Sequence, residues 1–197
     1  MTARRKHPAA RILCDCVPVT PERWPDLERL FGERGACGGC WCMYWRLPRP
    51  EFQRMKGAGN KAAFQTIVKS DAMPGVLAYV GGQPAAWCAI APREQYPGLQ
   101  RSRILKPVDG QPVWSVTCFF VARPFRRKGL SVQLLQAAVE FARSRGANIV
   151  EGYPVEPKSG SMPDAFAWTG LAAAFRKAGF RSVAKRSPTR PVMRRMA

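Results

Sequence analysis

Three stretches hold residues whose types and spacing can do chemistry. The first is Arg126-Arg127-Lys128-Gly129-Leu130-Ser131, which lies between an apolar run and an amphipathic stretch. The first N–H groups of a helix have no intrahelical partner, and the helix dipole places partial positive charge beside them. Successive amides in such a bend form an anion-binding concavity. Gly129 lets a phosphate approach the backbone with no Cβ in the way. Ser131 is small and can donate a hydroxyl hydrogen bond. A diphosphate suits this arrangement. Taken alone, the same pattern also reads as a basic turn that merely opens a helix. The glycine patterns of dinucleotide loops and P-loops are both absent.

The second stretch is Cys37-Gly-Gly-Cys40-Trp41-Cys42-Met-Tyr44-Trp45-Arg46. A structural zinc takes four ligands, usually as two spaced pairs. Only three cysteines lie here, and a fourth ligand would come from Cys14, Cys16 or His7, so no metal is expected. The aromatic residues either cap a core or wall a pocket. The third is Cys118, a nucleophile in principle. It sits in an apolar run with no base signalled beside it, which reads as a core thiol.

The elements around these residues follow from pattern. Residues 11–19 form a first strand. Thr20-Pro21 then opens a helix carrying Trp24, Leu27, Leu30 and Phe31, which Gly32 and Gly35 end. Asn60 caps a second helix with Phe64, Ile67 and Val68 on one face. Residues 76–80 and 85–90 make a hairpin about Gly81-Gly82. Residues 113–121 are a nearly continuous apolar run, a central strand buried on both faces. The long helix after Ser131 carries Val132, Leu135, Val139 and Ala142 as one stripe and ends at Gly146. Residues 148–155 form a further strand, and Leu171, Phe175 and Ala178 mark a last helix. Residues 180–184 and 191–195 close the chain as a hairpin.

The 197 residues suit one domain: residues 1–10 read as a flexible basic arm and 11–197 as a single unit. No apolar run approaches a membrane span, and the first residues lack the apolar core of a signal peptide. Seven cysteines, an odd count, fit free thiols in a reducing cytoplasm. The net charge of +19 admits three readings: a solvated basic surface, attraction of an anionic cofactor or substrate, or nucleic-acid contact. No acid follows Asp164, whereas basic residues crowd positions 176–195. A solvated face leads there, with RNA or DNA contact behind it.

The stretch from the central strand to Phe180 resembles the Gcn5-related N-acetyltransferases. There a central strand ends in an apolar residue, placed here at Val121. A Q/R-x-x-G-x-G/A loop opens the long helix, matched here by Arg126–Ser131 with serine at the last position. A tyrosine-x-x-x-Gly-Phe pattern follows, matched here by Phe175-Arg-Lys-Ala-Gly179-Phe180. The resemblance implies an α/β fold with a mixed, mostly antiparallel sheet whose two parallel central strands splay around acetyl-CoA. It implies pantetheine contacts from the backbone of Phe119, Phe120 and Val121, and diphosphate contacts from Arg126, Arg127, Lys128, Gly129, Leu130 and Ser131. It places Trp41, Tyr44, Trp45 and Arg46 beside the acceptor. Two departures bear on catalysis. Phenylalanine stands at the family's tyrosine acid, Phe175, and Ser115 stands where some members carry a glutamate base. Glu151 and Tyr153, two apart on one strand and so on one face, are the replacement candidates, with Glu94 behind them. Their structural alternative is a carboxylate paired with an arginine beside a half-buried tyrosine.

The expected activity is transfer of an acetyl group from acetyl-CoA to a small primary amine. Acylation of a protein or aminoacyl-tRNA amine is the second expectation, and a nucleic-acid-binding module with a zinc loop the third. A homodimer is compatible with all of these.

Overall fold

A computed structural model of the protein describes residues 12–158 and 162–197. The basic arm expected at 1–10 lies outside the described residues. Seven strands form one sheet: β1 (Asp15–Pro18), β2 (Gly75–Val80), β3 (Gln83–Pro92), β4 (Trp114–Val121), β5 (Ile149–Gly152), β6 (Arg181–Lys185) and β7 (Pro191–Met196). Their order is β1-β2-β3-β4-β5-β7-β6. Every pair is antiparallel except β4 with β5. The hairpin expected at the end of the chain is present, and β7 fills the place between β5 and β6.

The helices are α1 (Trp24–Phe31), α2 (Arg49–Arg54), α3 (Ala58–Lys69), the single turn α4 (Pro97–Gln100), α5 (Leu130–Ser144) and α6 (Ala172–Lys177). Helix α5 buries Leu135, Val139 and Ala142 of its stripe, with Leu134 and Ala138 beside them, against Val76, Cys88, Ile90 and Val116. On the other face, Leu27 and Phe31 of α1 and Phe64 and Val68 of α3 pack on Leu77, Trp87 and Ala89. Leu77, Trp87 and Leu134 are fully buried, each worth on the order of 2 kcal/mol in area removed from water. Thr20 precedes α1 as expected, but a 3-10 turn, Pro21–Arg23, intervenes and no side chain caps the helix.

One irregularity matters most. Ala89 pairs with Cys118 and the next residue, Ile90, pairs with Val116, so Thr117 is an extra residue in β4. Such a bulge bends the strand that carries it. The β4–β5 ladder covers Trp114–Val116 against Val150–Gly152 and stops where Thr117 begins. Beyond it the two parallel strands part, and the second half of β4 borders a gap.

Candidate cofactor cleft

The gap opens into a cleft of about 780 Å³. Three parts of the chain wall it: the end of β4 with the bend that follows, the Cys37–Tyr44 stretch with Phe52 and Lys56, and residues 164–171. Of the bend, Arg126, Arg127, Gly129, Leu130 and Ser131 face the cleft, and Lys128 does not.

The geometry of the bend follows from its residues. Pro124 sits in a 3-10 turn, Arg123–Phe125, that carries the chain off the sheet. Arg127 then adopts φ 61° and Gly129 φ 84°, the left-handed region that costs a non-glycine residue roughly 1 kcal/mol or more. Left-handed turns of this kind let successive amides face one side. Among the described residues, none of those amides donates to a backbone carbonyl outside the helix. A Cβ built on Gly129 meets nothing within 4 Å, so the space above this residue is open.

The edge of β4 divides by parity. The amide of Ala122 donates to the carbonyl of Ala85 at 2.9 Å. In an antiparallel ladder that places the backbone groups of Phe120 on the β3 side, with those of Phe119 and Val121 toward the gap. Phe120 therefore offers the cleft its ring, which corrects the expectation of a backbone contact there. The Phe119 amide is already engaged and donates to the carbonyl of Trp168 at 2.6 Å. The Val121 carbonyl accepts from Arg126 Nε at 2.9 Å, while Arg126 Nη1 bonds Asp164 Oδ2 at 3.0 Å. Arg126 thus ties the strand end to the 164–171 segment as well as charging the cleft.

The four residues expected beside the acceptor separate. Tyr44 lines the cleft, and its ring meets those of Trp45, Phe52 and Trp168 edge-on at 4.9, 5.4 and 5.3 Å. Trp45 stands behind it, 6.0 Å from Trp168. Trp41 is buried in the core, stacked on Trp24 at 5.8 Å. Arg46 turns away to lie over the ring of Tyr96, bonded to Gln95 and to the Tyr96 hydroxyl. The contribution expected of Trp41 and Arg46 is thereby corrected: one builds core, the other pins α4. Phe52, Lys56 and Trp168 line the cleft without having been singled out. Pro50 at the start of α2 was a usable signal for the element carrying Phe52. No local pattern marks Trp168.

The cysteines of the same wall diverge. Cys37 is exposed, Cys40 half-buried, and Cys42 buried, its sulfur accepting from the Trp87 indole N–H at 3.2 Å. Burial, with the neighbouring Cys42, pushes the Cys40 thiol up to about 11. Cys118 lies beside Cys42, and that contact together with burial pushes its thiol well up, so it stands protonated. Among the described residues no group of three or more His, Cys, Asp or Glu is placed to hold a metal ion.

Glu151 and Tyr153 do come together, but away from the cleft. Both are buried. Glu151 Oε1 accepts from Arg93 Nη1 at 2.9 Å and from the Tyr153 hydroxyl at 2.7 Å; Oε2 accepts from Arg194 Nε at 2.7 Å. Arg194 also forks onto Asp109 at 2.7 and 3.0 Å, and Ser115 Oγ lies 2.8 Å from the Tyr153 hydroxyl. Burial, then the Glu151 charge, pushes the Tyr153 phenol well above its usual range. Buried Glu151 and Arg93 thus neutralise each other inside the protein, and Arg194 links Glu151 to Asp109 at the surface. A catalytic role for Glu151 and Tyr153 does not fit that placement, because neither group can reach a cleft ligand. Glu94 is exposed on the Arg93–Gln95 turn, also outside the cleft lining. Phe175 is wholly buried against Phe119 and Phe180. Gly152 and Gly170 make room for its ring, since a Cβ on either would approach it to 2.2 and 2.7 Å.

The model of the Acetyltransferase (GNAT) family matches residues 41–157. No curated protein matches the chain in sequence. Among solved structures, the fold is similar to a GNAT-family acetyltransferase of Listeria monocytogenes, with TM-score 0.57 and 11% identity over 94% of this chain and 96% of that one. It is similar to a GNAT-family acetyltransferase of Streptococcus agalactiae, with TM-score 0.55 and 13% identity over 93% and 95%. It is also similar to the PaiA N-acetyltransferase of Thermoplasma acidophilum, solved in complex with coenzyme A, with TM-score 0.52 and 12% identity over 94% and 100%. At such identities the structures speak for the fold alone, and the family match over more than half of the sequence decides membership: this chain belongs to the GNAT family of acetyltransferases.

Proposed function

We propose that the protein moves an acetyl group from acetyl-CoA to the primary amine of a small molecule, with residues 11–197 acting as one catalytic domain in the cytoplasm. The carrying observation is the bend at the cleft mouth. Among the described residues its amides donate to no backbone carbonyl outside the helix, and its glycine faces open space. The Thermoplasma relative was solved with coenzyme A, which supports an anionic, diphosphate-bearing guest for the same fold.

Acetyl-CoA supplies a thioester carbonyl open to direct attack by a neutral amine. The amides of residues 127–131 hold the diphosphate, with Arg126 and Arg127 adding charge. Of the β4 amides facing the gap, that of Val121 is the one to steady the developing oxyanion, since that of Phe119 is bonded to Trp168. Neither Ser115 nor Phe175 can serve as base or acid from where they lie, so as the carbon–sulfur bond breaks the coenzyme A thiolate leaves and the amine proton passes to it by way of water.

A small acceptor is favoured over a nucleic acid by the state of the basic tail. Arg176 and Lys185 bond Glu156, Arg194 bonds Glu151 and Asp109, and Arg190 bonds Thr169. Arg186 and Arg195 donate to carbonyls of Lys106 and Ala178. These charges fasten the last hairpin to the protein.

Titration calorimetry with acetyl-CoA tests the proposal. Wild type should bind, and Gly129→Glu should weaken binding by about 100-fold or more, since a side chain fills the seat and its charge repels the guest. Equal binding by the two proteins removes the bend from the site.

A further inference from the structure

The acceptor wall has a composition of its own. Cys42, Tyr44, Phe52, Phe120 and Trp168 make it apolar and largely aromatic. Three of these rings come from separate parts of the chain, and Tyr44 is the point at which they meet. Flat faces of this kind suit a planar apolar body.

Charge on the wall is one-sided. Lys56 lines the cleft, and its stem lies along Gly38 and Gly39, with Cε 3.8 Å from where a Gly38 Cβ would stand. A side chain on Gly39 would come within 2.5 Å of the Gly57 backbone, so the two glycines make the bed on which Lys56 rests. Lys56 makes no ion pair among the described residues. Among the described residues the cleft is lined by one carboxylate, Asp164, and Arg126 already occupies it. A multiply charged cationic acceptor would find like charge and no free carboxylate. An acceptor bearing an anion beside its amine would find a lone ammonium.

From this, and resting on the acetyltransferase reading above, we infer the acceptor class: a primary amine on a flat aromatic body that also carries a carboxylate, as in an aromatic amino acid. Tyr44, Phe52 and Trp168 hold the body and Lys56 takes the carboxylate. A polyamine is the class this cleft rejects.

The experiment measures free coenzyme A thiol released from acetyl-CoA with L-phenylalanine, L-tryptophan, phenethylamine and spermidine, beside calorimetry of acetyl-CoA alone. The amino acids should exceed phenethylamine in kcat/KM by roughly fivefold, the reach of one partly exposed charge pair. Both should exceed spermidine by a wider margin. Lys56→Glu should invert the order of phenylalanine and phenethylamine, and Tyr44→Ala should raise KM for all aromatic acceptors. The exposed Lys56 site keeps the first variant folded. Faster use of spermidine, equal use of phenylalanine and phenethylamine, or an unmoved ratio in Lys56→Glu overturns the inference. So does acetyl-CoA binding with no turnover of any of the four amines, which leaves the acetyltransferase reading standing. Failure of acetyl-CoA to bind removes both.

Discussion

Glu151 shows what spacing along a strand does and does not reveal. Its two-residue separation from Tyr153 places both on one face, and they do meet there, at 2.7 Å. What the spacing does not carry is what else arrives at that face. Arg93 comes from the turn after β3 and Arg194 from β7, each far away in sequence, and together they turn a candidate base into half of a buried ion cluster. Removing one partner from such a cluster strands the others without compensation. Glu151→Gln should therefore cost about 3 kcal/mol of stability, since buried Arg93 would lose its carboxylate and Arg194 would keep only Asp109. For a chain of this size that lowers the melting midpoint by roughly 6–12 °C. Activity per folded molecule, measured well below the midpoint, should stay within about threefold of wild type; loss of a general base would cost roughly 100-fold or more. A large drop in turnover with an unmoved melting curve would return Glu151 to the chemistry. The bend at Arg126–Ser131 is the opposite case. Arg126, Gly129 and Ser131 are close in sequence, and the left-handed turns that aim their amides are local, so the sequence suffices to find them.

Among the elements, the strands and long helices were legible because each rests on a repeating pattern. The stripe on α5 and the apolar run of β4 both lie where periodicity places them. The Thr117 bulge carries no such signature, yet it parts β4 from β5 and makes the cleft. The segment from Asp164 to Leu171 is harder still, having neither period nor cap, and it crosses the cleft. Two of the bonds that hold it there face the cleft: Arg126 to Asp164, and the Phe119 amide to the Trp168 carbonyl. On the proposed reading both Arg126 and the Phe119 amide are groups a coenzyme would use, so the segment would compete with the guest for them. Arg126 and Asp164 are 36% and 52% exposed, which limits the worth of their pair to about 1 kcal/mol. Asp164→Asn should accordingly tighten acetyl-CoA binding by a few-fold in calorimetry, because Arg126 is freed at little cost to the fold. Weaker binding in this variant would make Asp164 part of the seat and not its competitor.

For the whole molecule, the question is what a net charge of +19 does. Composition places the excess near the end of the chain, where acids stop at Asp164. It cannot say that acids from earlier segments fold back to meet it. Glu156 takes Arg176 and Lys185, and Glu151 with Asp109 takes Arg194. Backbone carbonyls take Arg186 and Arg195. Of the basic residues between 176 and 195, only Lys177 and Arg181 are left with no bonded partner among the described residues. A guanidinium held by a carboxylate displaces few counterions from a phosphate backbone. The slope of log affinity for duplex DNA or tRNA against log salt falls by about 0.9 for each phosphate neutralised on B-DNA. A tail fully devoted to nucleic acid would give a slope near −7; the two unpaired cations predict about −2 from this face. Fluorescence anisotropy with labelled tRNA and duplex DNA from 50 to 200 mM salt separates these values. A shallow slope that Lys177→Ala with Arg181→Ala flattens further fits a charge surplus spent on holding the hairpin to the sheet. A steep slope, flattened instead by Arg186→Ala, would mean that those arginines leave their carbonyls for phosphate, and that the tail is a binding surface after all.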